Sequence, residues 1–470
     1  MIKIYNTLKG KKENFVPLNG NKVNMYACGI TVSGPAHIGH LFQALIYDII
    51  RKYLKKRGYD VTYARNYTDI DDKIIINANK LGVDAKLFAE QKIKEIDDDM
   101  SYFQIGEPDL WMKATENVDH IIDFIKVLIE KDYAYETENG DVYFRVEKFY
   151  DYGKLSNRNL KDALNGVRVE NSEEKENPLD FALWKSAKPG EPSWDSPFGK
   201  GRPGWHIECS VMNHQAFGDQ VDIHGGGRDL IFPHHENEIA QSEAYSGKEF
   251  VKYWTHNGLI KINGQKMSKS LGNTILLCDL RKSQHPEVVK FAMLQNSYHN
   301  DINFTDELFR ESEKHILDFH KIINAVEEKF NSTSAVNTQI DAEFNACMDD
   351  DFNTAKALAN LYGYFKEINK KLAAGDDSAL ANVKAIKETY SLLGLFVNPS
   401  KDVIAFIENK SKSAIPAEIQ ELAAKRAEAK AQKNWAEADA LRAKITELGF
   451  MIKDSKDCLL YTSDAADDKA

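Results

Sequence analysis

With 470 residues, the chain exceeds what one hydrophobic core ordinarily supports, so two to four domains are expected and a large enzyme is allowed. Its 43% hydrophobic and 28% charged residues are ordinary for a globular protein, and no apolar run approaches the roughly 20 residues of a membrane span. The formal charge of −11 argues against bulk electrostatic coating of nucleic acid but leaves room for a locally basic face.

Met1 to Tyr5 carry no apolar stretch with a small-residue cleavage site, so export is not expected and a cytoplasmic location is. The five cysteines, Cys28, Cys209, Cys278, Cys347 and Cys458, are scattered and odd in number. That usage suits reduced thiols or metal ligands better than a disulfide framework.

Val23, Met25 and Ala27 alternate as in a strand. Gly29 and a Gly34-Pro35 turn then lead into a helical pattern of Phe42, Leu45, Ile46, Ile49, Ile50, Tyr53 and Leu54. Gly58 stops the helix, and Tyr59, Val61 and Tyr63 alternate in a second strand. The resulting βαβ unit predicts an α/β fold with a Rossmann-like, doubly wound parallel sheet. Ligands of such sheets sit at the carboxyl ends of strands, here at Cys28 and the loop to His40.

The expected divisions are a first half of the nucleotide-binding fold over residues 1–120 and a less regular connective insertion over 121–200. The second half of the fold follows at 201–265, where Val221 to His224 run into Gly225 to Gly227. A lysine-bearing loop and connecting region occupies 266–304. From Thr305 the helical period returns in Ile316, Phe319, Ile323, Val326 and Phe330, then in Leu358, Leu361, Phe365, Ile368 and Leu372, giving a helical bundle over 305–397. Residues 398–457 read as a linker, Asn398 to Ile415, followed by a small C-terminal domain of two short helices. The second of these has Asn434 as N-cap, Glu437 at N3 and Gly449 as its stop. Cys458 to Ala470 lack periodicity and read as a disordered or foreign tail.

His37-Ile38-Gly39-His40 falls where a loop opens a helix, a position whose backbone N–H groups and dipole favour phosphate. Lys266-Met267-Ser268-Lys269-Ser270 lies between Gly264 and Gly272 and carries two ammonium groups suited to clamping a triphosphate. Taken singly, the first motif is also compatible with two turn histidines and the second with a solvated basic loop. In this order, and more than two hundred residues apart, the pair resembles the signature motifs of class I aminoacyl-tRNA synthetases. The resemblance implies attack of an amino-acid carboxylate on the α-phosphate of ATP, giving an aminoacyl adenylate and pyrophosphate.

Cys28 at a strand end, Cys209 in Gly204-Trp205-His206-Ile207-Glu208-Cys209-Ser210, and His234 and Glu238 in Pro233-His234-His235-Glu236-Asn237-Glu238 form a second constellation. His234 and Glu238 are four apart and would share one helix face. Two thiolates, an imidazole and a carboxylate suit tetrahedral zinc, while the same residues are compatible with two buried thiols and a capping His–Glu pair.

These stretches resemble the cysteinyl-tRNA synthetases from about Tyr5 to Lys453, including Arg65 to Lys73, Asp222 to Gln241, Lys266 to Asn273 and Met348 to Thr354. The resemblance implies one substrate-sensing Zn²⁺ held by Cys28, Cys209, His234 and Glu238. It implies His37, His40, Lys266 and Lys269 as the catalytic set, which with Gly39 and Ser268 contacts ATP. Gly227 and Asp229 would lie near the ribose, and Mg²⁺ would accompany ATP. Gly29, Thr68 and Trp205 would line the cysteine pocket. The resemblance implies a cysteine ligase whose partners are ATP, L-cysteine and tRNA(Cys), with no membrane and a monomeric state. Zinc softness would tell cysteine from serine, since the insertion is small for an independent hydrolytic domain.

The chain departs from the family pattern at Ile30 to Pro35, at Ser297-Tyr298-His299, and after Asp457. Two other readings compete: a ligase joining cysteine to an amino-sugar inositol, and a zinc-stabilised RNA-binding protein without catalysis. The helices beyond residue 305 weigh against the first, and the intact His37, His40, Lys266 and Lys269 against the second.

Overall fold

The computed structural model describes residues 1–158, 174–268, 271–413, 416–453 and 459–462. The chain divides into two units, Met1–Val397 and Asn398–Ala470.

The first unit is organised on a parallel sheet of β1 (Lys22–Thr31), β2 (Asp60–Thr68), β3 (Leu110–Lys113), β4 (Val221–Gly227) and β5 (Val251–Asn257). Its order is β5-β4-β1-β2-β3. Val23, Met25, Tyr26, Ala27 and Cys28 of β1 are all buried, the near-continuous apolar run of a central strand covered on both faces. Helix α1 (Ile38–Lys56) buries Leu41, Phe42, Leu45, Ile46, Ile49, Ile50, Tyr53 and Leu54. Lys55 and Lys56 in its last turn complement the helix dipole, and Gly58 follows at φ 88°. The chain steps outward from β1 through β2 to β3, then returns to add β4 and β5 on the other side. The strand order therefore reverses between β1 and β4, and a crevice opens at their carboxyl ends.

Between β3 and β4 the sequence predicts an irregular insertion over 121–200. The described residues form a helix, Val118–Glu130, and an antiparallel four-stranded sheet of Ala134–Glu136, Val142–Phe144, Phe181–Ser186 and Gly201–Pro203. Phe144, Phe181, Trp184 and Phe198 fill its core with apolar side chains of the helix. The strands are three to six residues long and too short to show an alternation by themselves, which is why their regularity is missing from the sequence. Helices Asp306–Lys329, Gln339–Met348, Thr354–Ala374 and Ser378–Tyr390 complete the first unit as the expected bundle.

The second unit differs from the sequence reading at two places. Asn398 to Ile415 predict a linker, but Ser400–Ser413 is a helix. Pro399 is its start rather than a break, its carbonyl accepting from the amides of Asp402 and Val403, and Val403 and Ile407 are buried one turn apart. Ala414 and Ile415 lie outside the described residues. Helices Ala417–Ala431 and Trp435–Glu447 pack through Ile419, Leu422, Ala423 and Ile445. Asn434 caps the second, accepting from the Glu437 amide at 3.4 Å while donating to its carboxylate at 2.7 Å. From Cys458 the sequence predicts an aperiodic tail, yet Leu459–Thr462 pairs antiparallel with Phe450–Lys453. Leu459-Leu460-Tyr461-Thr462 is a short run of strand-favouring residues that needs its partner to declare itself. Cys458 and residues 463–470 lie outside the described residues.

Candidate active site and metal centre

A cavity of about 400 Å³ opens at the carboxyl ends of the central strands. Cys28, Gly29, His37, Gly39, His40, Thr68, Trp205, Cys209, Gly227, Asp229, His234 and Lys266 all line it. Of the remaining site residues expected from sequence, Glu238 is buried behind Cys28 and His234, Ser268 lies in the loop after Lys266, and Lys269 is outside the described residues.

Four elements bring the metal-type residues together. Cys28 ends the regular part of β1, and Cys209 projects from α2 (Trp205–Phe217). Glu238 sits in the first turn of α3 (Glu236–Ser246), while His234 lies in a wide π-type turn, Ile231–His235, just before it. His234 and Glu238 thus share a face across a helix junction rather than along one regular helix. Cys28 Sγ is 3.7 Å from Cys209 Sγ and 3.3 Å from Glu238 Oε1, and His234 Nε2 is 3.0 Å from Glu238 Oε1. The four donor atoms lie within 4.8 Å of one another, so this buried group could hold a metal ion. Bonds of about 2.0–2.3 Å in a tetrahedral site give donor separations of roughly 3.3–3.8 Å, which this cluster approaches without rearranging its backbone.

Only Cys209 and Glu238 of the four groups are pushed toward the deprotonated form that a metal ligand takes. The hydrogen bond from Cys28 brings the Cys209 thiol down to about 6 against the opposing effect of burial, while burial pushes Cys28 itself up. Burial pulls the His234 imidazole down, but Glu238 and Cys209 outweigh it and leave it raised to about 10. Glu238 is likewise opposed by burial and held well below the usual carboxylate range by His224 and His234.

Around this cluster lie four further imidazoles that the sequence reading did not single out. His224 Nε2 is 3.0 Å from Glu238 Oε2, His235 Nε2 is 3.3 Å from Cys28 Sγ, and His206 Nδ1 is 3.0 Å from His234 Nδ1. His235 Nδ1 meets His256 Nε2 at 2.8 Å, and His256 Nδ1 meets Thr7 Oγ1 at 2.8 Å. Cys28, His224, His235 and Glu238 form a second group with metal-ligand spacing. Burial holds His206, His235 and His256 below the usual imidazole range, which keeps them neutral hydrogen-bonding groups. Their segments were in view in the sequence, but no spacing rule joins histidines from four separate elements.

The two signature motifs meet on the opposite side of the cavity. His37 is the N-cap of α1 and its ring stacks on His40 at a centroid distance of 3.6 Å. The Ile38 amide donates to Ile275 O at 3.0 Å and the Leu277 amide to Ala36 O at 2.9 Å, so the downstream arm of the lysine loop is bonded to the first motif. Gly39 leaves room for the stacked imidazole, since a Cβ there would stand 3.2 Å from the His37 ring. Asn273 closes the loop, accepting from the Ser268 amide at 2.9 Å and donating to Lys266 O at 3.2 Å. Gly264 and Gly272 turn the chain at φ 79° and 66°, where a side chain would be strained. Trp205 stacks on His234 at 4.5 Å.

A model of the class I (C) tRNA synthetase catalytic domain matches residues 14–314, a DALR domain model matches 343–397, and a cysteinyl-tRNA ligase anticodon binding domain model matches 412–461. The cysteine–tRNA ligase of Thermodesulfovibrio yellowstonii is 46% identical over 98% of this chain and 99% of its own length. That of Pseudomonas aeruginosa PAO1 is 46% identical over 97% and 98%. The chain belongs to the cysteine–tRNA ligase family. Solved structures of other class I members share its fold at low identity. Mycobacterium tuberculosis methionyl-tRNA synthetase in complex with methionyl-adenylate superposes with a TM-score of 0.58 at 13% identity, covering 83% of this chain and 93% of that one. The Agrobacterium radiobacter K84 LeuRS–tRNA–LeuAMS ternary complex gives 0.58 at 10% identity, covering 84% and 86%. Membership in the family accounts for the parallel sheet and for the convergence of both motifs on one cavity. No helix among the described residues is long and apolar enough to cross a membrane.

Proposed function

We propose that the cavity activates L-cysteine with ATP and then transfers it to the 3′-terminal adenosine of tRNA(Cys). The observation that carries this reading is the meeting, in one cavity, of a buried Cys/Cys/His/Glu cluster with the two phosphate-binding motifs. Cys28, Cys209, His234 and Glu238 hold one Zn²⁺, and this group is preferred over the deeper one because three of its members face the cavity. Zinc supplies there a soft acid that takes a thiolate in preference to a serine hydroxyl. Gly29, Thr68 and Trp205 border the amino acid, and the stacking of Trp205 on His234 sets the pocket wall.

His37, His40, Lys266 and Lys269 stabilise charge on the triphosphate, which enters with Mg²⁺, as a cysteine carboxylate oxygen attacks the α-phosphorus and pyrophosphate leaves. Gly39 and Ser268 contribute to the same ATP site, and Gly227 and Asp229 receive the ribose. In the second step the terminal ribose hydroxyl of tRNA attacks the adenylate carbonyl and AMP leaves. The protein works as a cytoplasmic monomer, with the bundle and the second unit engaging tRNA. Matches to the DALR and anticodon binding domains favour this reading over ligation of cysteine to an amino-sugar inositol.

Cysteine-dependent ATP–pyrophosphate exchange, with and without a zinc chelator, tests the assignment. Exchange that requires cysteine and fails on metal removal is expected. Exchange indifferent to cysteine refutes the substrate, and full activity without metal refutes the role of zinc.

A further inference from the structure

We propose that Asn66 is a positioning residue that aims Cys28 by capping a bulge in β1. Strands β1 and β2 pair in regular parallel register from Lys22 opposite Asp60 to Ala27 opposite Arg65, and pairing resumes with Ile30 opposite Tyr67. From 27 to 30 is three steps on β1, and from 65 to 67 is two on β2, so β1 carries one extra residue at Cys28–Gly29. A bulge of this kind bends its strand, re-aims a side chain, and takes backbone groups out of the ladder. Buried backbone groups left in that state must find other partners.

Both are found in side chains. The Gly29 amide donates to Asn66 Oδ1 at 2.8 Å, and the Cys28 carbonyl accepts from Gln43 Nε2. Asn66 comes from β2 and Gln43 from α1, so the bulge is held from two sides. The approach is close enough to require glycine, since a Cβ on Gly29 would collide with the Asn66 carbonyl oxygen. The Asn66 carboxamide reaches further: its Nδ2 donates to Thr68 Oγ1 at 3.5 Å, and its Oδ1 lies 3.8 Å from Cys209 Sγ. One buried side chain therefore touches the backbone beside Cys28, the sulfur of Cys209 and the hydroxyl of Thr68. An apolar residue of similar size would leave the Gly29 amide without a partner and the two cysteines free to drift apart. Partners of this kind behind metal ligands typically change affinity or activity by about 10- to 100-fold when removed.

The inference rests on the reading of Cys28 and Cys209 as metal ligands, and Cys28→Ser is the control for that reading. The full-length protein and its Asn66→Ala, Asn66→Asp and Gln43→Met variants are loaded with zinc and, separately, with cobalt. Steady-state KM for cysteine and for ATP, metal release to a chromogenic chelator, and the cobalt–thiolate charge-transfer band are measured. Asn66→Ala is expected to raise the cysteine KM and the rate of metal release by about 10- to 100-fold and to shift the cobalt band, with the ATP KM unchanged. Asn66→Asp, which keeps an acceptor for the Gly29 amide, is expected to recover most of the loss. If Asn66→Ala does not fold, Gln43→Met carries the test from the other side of the bulge and must move the cobalt band and cysteine KM in the same sense.

Parental cysteine KM and metal release in Asn66→Ala, or an equal rise in both KM values, overturns the inference. So does a failure of Asn66→Asp to recover. Cys28→Ser that retains metal with a parental release rate overturns the metal reading itself.

Discussion

On the floor of the cavity Cys28, Cys209, His234 and Glu238 are 3%, 2%, 2% and 0% exposed, whereas Lys266 on the rim is an exposed residue of a two-residue strand. The floor groups are desolvated when the chain folds, and their geometry is held by α2, α3 and the imidazoles around them. Lys266 remains hydrated beside a loop turned by Gly264 and Gly272, and in the proposed reaction its ammonium would close on the triphosphate. Groups fixed before substrate arrives act mainly on which substrate binds, while groups that engage late act on the rate of the chemical step. Under the proposed function, the same cavity would separate selection from catalysis by burial.

Metal removal should break the floor with the largest effect. Chelated protein, or Cys209→Ser, is expected to lose the roughly 10⁴-fold preference for cysteine over serine that an uncharged pocket cannot supply for so small a difference. Competing pyrophosphate exchange with the two amino acids measures it, and undiminished discrimination in metal-free protein would remove the basis of the comparison.

In the lysine-bearing motif, Lys269→Ala is expected to lower kcat of adenylate formation by about 10²-fold or more with only a modest loss of ATP binding. Pre-steady-state adenylate formation separates the two effects, and a rise in KM alone would make the rim a binding element like the floor.

A third experiment sets both halves of the cavity against the second unit. A chain ending before Pro416 should keep cysteine-dependent pyrophosphate exchange and charge tRNA(Cys) poorly. Parallel loss of both activities would assign the C-terminal helices a structural role in the catalytic unit.

The smallest effect is local. Asn434→Ala removes a cap and should destabilise the second unit by about 1 kcal/mol, read as a shift in its own thermal transition, with pyrophosphate exchange unaffected.

Those features that depend on neighbours in sequence were legible without the fold. The α1 stripe, the opening of that helix at His37 to His40, the glycines around Lys266 to Ser270 and the Asn434 cap all follow from local period, dihedral preference or hydrogen bonding within one turn. The resemblance of the cysteine- and histidine-bearing segments to a known family supplied the ligand set, and geometry brought that set together. Short strands of the insertion, the Ser400–Ser413 helix and the Leu459–Thr462 strand escaped, because their residues take their conformation from partners that a linear pattern does not name.

Sequence by itself determined the parallel α/β class, the order of the two phosphate motifs and the residue types able to hold a soft metal. Tertiary structure alone decided that Cys28 meets Cys209 from 181 residues away and Glu238 from 210, and that His224 and the His235–His256 pair meet the same cluster. It also decided that β1 carries a single extra residue at Cys28–Gly29. Local propensity acts over a few residues, whereas these contacts arise where strand order reverses and distant segments are driven together by burial of the sheet.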